Sequence, residues 1–224
     1  PYTTLFRSLR EHSRGFIGHP SLRGHRSGTA ASNRFVLKSA TQKEQTLVAL
    51  FVDSIAELEI ELTYSLTPSD VLLIDGKVTN KGATDYYLEH FLYWLPLAEQ
   101  ADQVLDFFGH WTKERQPQRR EIAYGLTSRE GFEGRSGHDY TITQIALNSS
   151  TNFRSGQAWS LAMAWSGNNI HHVERLIDGS KAIGAGEYLL PGEVILKAGE
   201  SYVAPRAVAT FSDEGLDGVT NNHY

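Results

Sequence analysis

Nine histidines, four tryptophans and no cysteine bound the chemistry open to this chain. Disulfides and cysteine-ligated metals are excluded. A histidine-ligated metal needs two rings on one face, at i and i+2 of a strand or i and i+4 of a helix. His171 and His172 are adjacent in a stretch that reads as a strand. Their rings therefore point to opposite faces and cannot readily share an ion. No third ligand accompanies them, and neither a metal site nor a cofactor is expected. There is no Gly-x-Ser-x-Gly elbow and no phosphate-cradling glycine loop ahead of a helix. Glycoside hydrolysis needs two opposed carboxylates. Asp139, Asp213 and Glu214 are available, but nothing in their spacing pairs any two.

Four clusters concentrate polar and aromatic groups. Residues 14–26 (RGFIGHPSLRGHR) gather Arg14, His19, Arg23, His25 and Arg26 around Gly15, Gly18 and Gly24. So many donors suit a polar ligand or another subunit; the plainer reading is a solvated basic loop. Residues 108–115 (FGHWTKER) set Trp111 beside His110 and Arg115. An indole face beside such groups suits stacking on a sugar ring, although it equally suits filling the edge of a sandwich. Residues 134–139 (GRSGHD) present Arg135 and His138 on a glycine-bounded turn, which Ser136 and Asp139 can also hold by bonding their own backbone. Residues 212–219 (SDEGLDGV) read as a last strand handing over to a helix, with Ser212 as N-cap and Asp213 and Glu214 suiting the dipole.

The elements that must position these groups are strands. Leu58, Ile60, Leu62, Tyr64 and Leu66 alternate with Glu57, Glu59, Glu61, Thr63 and Ser65, the pattern of a half-buried strand. Thr67–Asp70 turns the chain into a second strand over 71–80. Residues 86–95 form an aromatic strand expected to stop at Pro96, because proline cannot donate to a central ladder. Trp159, Leu161, Met163 and Trp165 share one face of a strand, and 170–177 follows after Gly167-Asn168-Asn169. Residues 46–52 are a short apolar run, and further strands are expected at 104–108, 140–147, 187–190 and 206–211. Residues 100–120 read as a long polar loop with one short strand inside it. Helical periodicity is almost absent before the last dozen residues. Many short strands at about 8–12-residue spacing predict an all-β fold, a large antiparallel β-sandwich.

The bulk properties agree with a globular domain. The 224 residues are 40% hydrophobic, enough for a substantial core. A formal charge of −5 does not favour nucleic acid or an anionic membrane as partner. No apolar run reaches the roughly 18 residues needed to span a bilayer, no signal peptide is visible, and a cytoplasmic location is expected. Pro1–Ser8 (PYTTLFRS) read like a translated sequencing adapter and are set aside. A chain cut from a longer protein is expected to expose apolar surface and unpaired strand edges, and to aggregate.

Residues 197–219 (KAGESYVAPRAVATFSDEGLDGV) resemble the end of the N-terminal domain of the glycoside hydrolase family 36 α-galactosidases. The pattern there is a Pro-Gly-Glu-Ser turn, a Pro before a short apolar strand, then Ser-Asp-Glu-Gly-Leu-Asn-Gly. This chain has Ala198 for the first Pro and Asp217 for the Asn. GHWTKER at 109–115, GRSGHD at 134–139, WSLAMAWSGN at 159–168 and the loop at 14–26 agree in order. The resemblance implies a β-supersandwich of galactose-mutarotase type at 9–211, incomplete at its start, with 212–224 leading to a catalytic (β/α)8 barrel outside this chain. It implies a retaining α-galactosidase whose two carboxylates lie on that barrel, so no catalytic residue is expected here. It further implies a galactosyl oligosaccharide as substrate and a homo-oligomer, a tetramer in the family. One loop of this domain borders a neighbouring subunit's active site in many members and carries an Asp-Phe-Arg-type motif. Residues 15–20 read GFIGHP instead, without the acid. The candidate substrate-proximal or intersubunit residues are His19, Arg23, His25, Arg26, Trp111, Arg135 and His138. A free-standing carbohydrate-binding sandwich, with Trp111 and Tyr140 as platforms, and a purely structural assembly module are the competing readings.

Overall fold

The alternation at 58–66 becomes a strand with Leu58, Ile60 and Leu62 buried, and two sheets are built around such strands. The computed structural model describes residues 9–222; the adapter-like Pro1–Ser8 lie outside them. The first sheet contains β1 (Leu22–His25), β6 (Tyr86–Leu97), β9 (Gly125–Gly131), β12 (Asn169–Arg175), β13 (Lys181–Glu187) and β14 (Val194–Leu196). Its order is β1-β6-β13-β12-β9, and β14 also pairs with β6. The second contains β2 (Val36–Lys43), β3 (Thr46–Asp53), β4 (Leu58–Leu66), β5 (Leu72–Asn80), β7 (Gln103–His110), β8 (Lys113–Glu121), β10 (Thr143–Leu147), β11 (Ala158–Met163) and β15 (Ser201–Ser212). Its order is β2-β3-β4-β5-β15-β11-β10-β7-β8. Every pairing between these strands is antiparallel, so the expected antiparallel sandwich is present.

The core fills the space between the sheets. Ile60, Ile74, Leu161 and Met163 of the nine-stranded sheet meet Tyr86, Phe91, Tyr93 and Ile183 of the six-stranded one. A helix, α1 (Gly215–Asn222), places Leu216 and Val219 on the outside of the nine-stranded sheet, against Leu105, Ile145, Leu147 and Ala158. Its first amides are satisfied by the 152–156 loop: Gly215, Leu216 and Asp217 donate to the carbonyls of Gly156, Asn152 and Phe153. The expected N-cap is corrected: Ser212 is the last residue of β15, and its Oγ accepts the amide of Glu214 at 3.0 Å in the turn before the helix, which begins at Gly215.

Three further expectations are corrected. The strand beginning at Tyr86 does not stop at Pro96; it pairs with β13 as far as Leu97. β1 accompanies β6 only to Phe91. Pro96 therefore sits where β6 has a neighbour on one side only, which tolerates a missing donor. Residues 100–120 are not a long loop but the β7–β8 hairpin. β8 is a sheet edge exposed along its whole length, so it has no buried face to impose alternation. The strand expected at 187–190 lies instead at β13 and β14. Gly184 and Gly186 break the apolar pattern of β13, and Gly184 is needed because a Cβ there would lie 2.7 Å from the Trp94 ring. Both edges of the large sheet are guarded: β2 carries Lys38 and Lys43, and β8 carries Lys113, Arg115, Pro117, Arg119 and Arg120. Charge and proline on an edge oppose strand addition.

Leu161 is fully buried between the sheets, whereas Trp111 is 74% exposed at the β7–β8 turn. Leu161→Ala should cost about 2–5 kcal/mol in urea denaturation. Trp111→Ala should stay within about 0.5 kcal/mol. Equal effects would contradict this packing.

Candidate ligand-facing site

Leu9 joins the core between the sheets, and from Arg10 to His19 the chain crosses the outer face of the six-stranded sheet. The segment is closed at its base, where Ser21 N–H donates to Arg10 O and Arg10 N–H to Ser21 Oγ. Ser21 O in turn accepts the amide of Leu92 in β6. A 3-10 turn at His12–Arg14 ends at Gly15, whose φ of 76° reverses the chain. His12 Nε2–H donates to Gly18 O at 2.8 Å, and His90 Nε2–H to Pro20 O at 2.9 Å. Each end of the loop is thus tied to a backbone carbonyl by an imidazole.

Glu174 of β12 lies beneath this loop, its side chain 4% exposed. Oε2 accepts Arg10 Nη1–H at 2.6 Å. Oε1 accepts both the amide of His19, at 3.0 Å, and His19 Nδ1–H, at 2.7 Å. Gly18 presses on the carboxylate so closely that a Cβ there would overlap Oε2 and lie 2.7 Å from the Phe16 ring. The Arg10 guanidinium rests over the Trp94 ring at 3.9 Å and over Phe16 at 4.8 Å, a favourable cation–π setting. Burial lowers Arg10 to about 10, with Glu174 opposing the shift; it remains charged at neutral pH.

The histidine pair divides as the period-2 rule requires. His171 faces the interior and contacts the hydroxyl of Tyr140 at 2.5 Å. His172 faces outward, stacked on Trp94 with ring centroids 5.8 Å apart and 5.7 Å from His19. Burial lowers His171 to about 4 and His172 to about 3, the latter helped by nearby His90, His19 and Arg23. Burial also lowers His90 to about 4. All three are neutral at physiological pH. Among the described residues no group of three His, Asp or Glu is arranged to hold a metal. The buried carboxylates of Glu11, Asp53, Asp106 and Glu174 are each occupied with arginines or backbone amides.

The candidate residues fall into two surfaces on opposite edges of the six-stranded sheet. At the β1 edge, His25 keeps about a third of its side chain exposed and Arg23 is exposed opposite His90; His19, also about a third exposed, lies over β12 against Glu174 and His172. His25 stacks on Tyr87 at 5.1 Å and approaches Glu89 at 3.7 Å. A cavity of about 320 Å³ opens here, lined by Arg10, Glu11, His12, Arg23, His25 and Glu89. At the other edge, in the segment after β9, His138 meets Trp111 edge-on at 5.8 Å. Arg135 is exposed on the same segment. Gly134 N–H donates to Asn168 Oδ1 and Ser136 N–H to Ser166 O, which hold this segment in place.

Arg26 belongs to neither surface: it donates to Ala56 O, Asn80 Oδ1 and Thr84 O, bracing the β3–β4 and β5–β6 connections. Tyr140, read as a platform, is buried at 3% exposure; its hydroxyl faces His171 and offers no ring to solvent. Glu174, Arg10 and Trp94 were not legible as site residues. The one signal for Glu174 is a carboxylate inside a strand that is buried from Asn169 to Glu174 itself.

A depressed histidine makes stability pH-dependent. The unfolded ring binds a proton near pH 6.5, and the folded rings refuse it until pH 3–4. Stability is full above about 6.5 and falls toward pH 4, by at most about 1.4 kcal/mol per pH unit per ring. Glu11, Asp106 and Glu187, raised by burial, act with the opposite sign. The comparison with a variant isolates the imidazole. His172→Phe, which keeps a ring on Trp94, should lose less melting temperature between pH 7 and 5 than the parent chain. An identical loss would contradict the neutral, buried assignment.

Comparison with known proteins converges on one domain type. Residues 1–197 match the family model for the glycosyl hydrolase family 36 N-terminal domain. The alpha-galactosidase of Escherichia coli is 31% identical over 216 residues, covering 96% of this chain and 30% of that protein. The GH36 alpha-galactosidase AgaB of Geobacillus stearothermophilus superposes with a TM-score of 0.88 at 19% identity, over 96% of this chain and 33% of that one. An AgaA variant from the same organism, crystallised with stachyose, gives 0.87 at 20% identity, with coverage of 96% and 33%. The chain thus spans about a third of the length of these relatives. Among the described residues no helix is long and apolar enough to cross a membrane.

Proposed function

The chain belongs to the glycosyl hydrolase family 36 N-terminal domain family, and on that footing we propose that it is the non-catalytic sandwich of a cytoplasmic α-galactosidase. The observation that carries this reading is the match over residues 1–197, joined to a span of only 30% of the Escherichia coli alpha-galactosidase. In this proposal residues 9–211 are the sandwich, and 212–224 lead toward a (β/α)8 barrel outside this chain. The barrel supplies the nucleophile and the acid/base, about 5–5.5 Å apart, for retaining hydrolysis of terminal α-linked galactose.

The sandwich supports that reaction by recognition. The β1 edge offers imidazole and guanidinium donors around a cavity large enough for a sugar ring, at the loop that borders a neighbouring active site in the resemblance drawn above. Arg23 and His25 there, His19 on the neighbouring loop, and Trp111, Arg135 and His138 at the other edge, are the proposed substrate-proximal or intersubunit contacts. Arg26 supports them as a brace. The assembled enzyme is a homo-oligomer, a tetramer in this reading, acting on galactosyl oligosaccharides. The exposure of Trp111 keeps a carbohydrate-binding module as the second reading, in which the indole stacks on a sugar without any barrel.

The 224-residue chain alone should hydrolyse no p-nitrophenyl α-galactoside, while the longer enzyme containing it should. In that enzyme His19→Ala, by removing a contact worth about 1 kcal/mol, should raise KM about five-fold and leave kcat nearly unchanged. Turnover by the isolated chain would overturn the assignment.

A further inference from the structure

The loop at 15–20 has little of its own to hold it. Of its side chains, Phe16 packs on Arg10 and Ile17 is exposed. Beside the ring bonds from His12 to Gly18 O and from His90 to Pro20 O, what holds the middle of the loop to the sheet is the carboxylate of Glu174, 155 residues away from His19 in sequence. From this geometry we infer that Glu174 is the positioning residue that sets the loop and, through it, the ring of His19.

Both oxygens are engaged at once. Arg10 occupies Oε2 and the ring of His19 occupies Oε1, while the His19 amide is shared between them at 3.2 and 3.0 Å. Only a carboxylate provides two acceptors with no donor between them. A glutamine in either flip turns an NH₂ group toward Arg10 or toward His19. The ring of His19 is thereby held with Nδ1–H toward Glu174, so Nε2 is its remaining hydrogen-bonding atom. That nitrogen acts as an acceptor while the ring is neutral. A partner group presented to it is therefore a donor, such as a sugar hydroxyl. This step rests on the proposed function.

Two variants of different chemistry should release the same loop. Glu174→Gln removes one acceptor, and Gly18→Ala adds a Cβ that the carboxylate and Phe16 leave no room for. Hydrogen exchange on the 224-residue chain should show at least ten-fold less protection at the amides of His19 and Ser21 in both variants. Protection in β4 and β5 should be unchanged. In the longer enzyme, each should raise the KM for raffinose several-fold with kcat held. Combining Glu174→Gln with His19→Ala should add nothing beyond His19→Ala alone. Unchanged protection in either variant overturns the positioning role. Lost protection with a KM insensitive to His19→Ala leaves that role standing and sinks the substrate-facing reading instead.

Discussion

The carboxylate of Glu174 is buried beneath a loop, and the outer face of the six-stranded sheet is organised by how that charge is compensated. A buried ion whose partner is removed costs about 3–5 kcal/mol, so Arg10 and His19 are held in place by necessity as much as by attraction. Arg10 fixes the start of the segment and His19 fixes the loop, so one acceptor pair ties residues 10 and 19 to β12. The closure between Arg10 and Ser21 then brings the chain back onto β6.

The same site explains why so many histidines lie here without forming a reactive centre. His90, His171 and His172 are kept neutral by burial. They serve as flat groups that both pack and hydrogen-bond: one stacks on Trp94, one faces Tyr140 and one holds Pro20. Trp94 approaches the backbone of β13 only because residue 184 is glycine. The result is a rigid floor. The exposed groups at its rim, rather than the buried ones, are those able to meet another molecule.

Much of the sandwich was legible in the sequence because half-buried strands write their burial as alternation. β4 matches its expected end at Leu66, and the opposite facing of His171 and His172 follows from their adjacency. Strands without one wet and one dry face left no such record. β8 is wet on both faces and reads as a loop, while β13 is dry but interrupted by Gly184 and Gly186. The site was legible only at its rim, where clustered Arg and His stand out. Glu174 sits far along the chain from the loop it holds, and local spacing carries no trace of a partnership formed by strand order. Arg26 bonds backbone carbonyls, and a brace of that kind uses the same donors as a grip on a substrate, so sequence alone does not separate the two.

The claim at the centre of this account is that an accessory sandwich presents a carboxylate-held loop to a galactoside bound elsewhere in an oligomer. A cryo-EM structure of the longer enzyme with a non-hydrolysed galactoside in its barrel tests this directly. The account predicts His19 Nε2 or Arg23 within hydrogen-bond reach of the ligand in a neighbouring subunit, with Glu174 still bonded to Arg10 and His19. A loop facing open solvent in every subunit, away from any ligand, would contradict it.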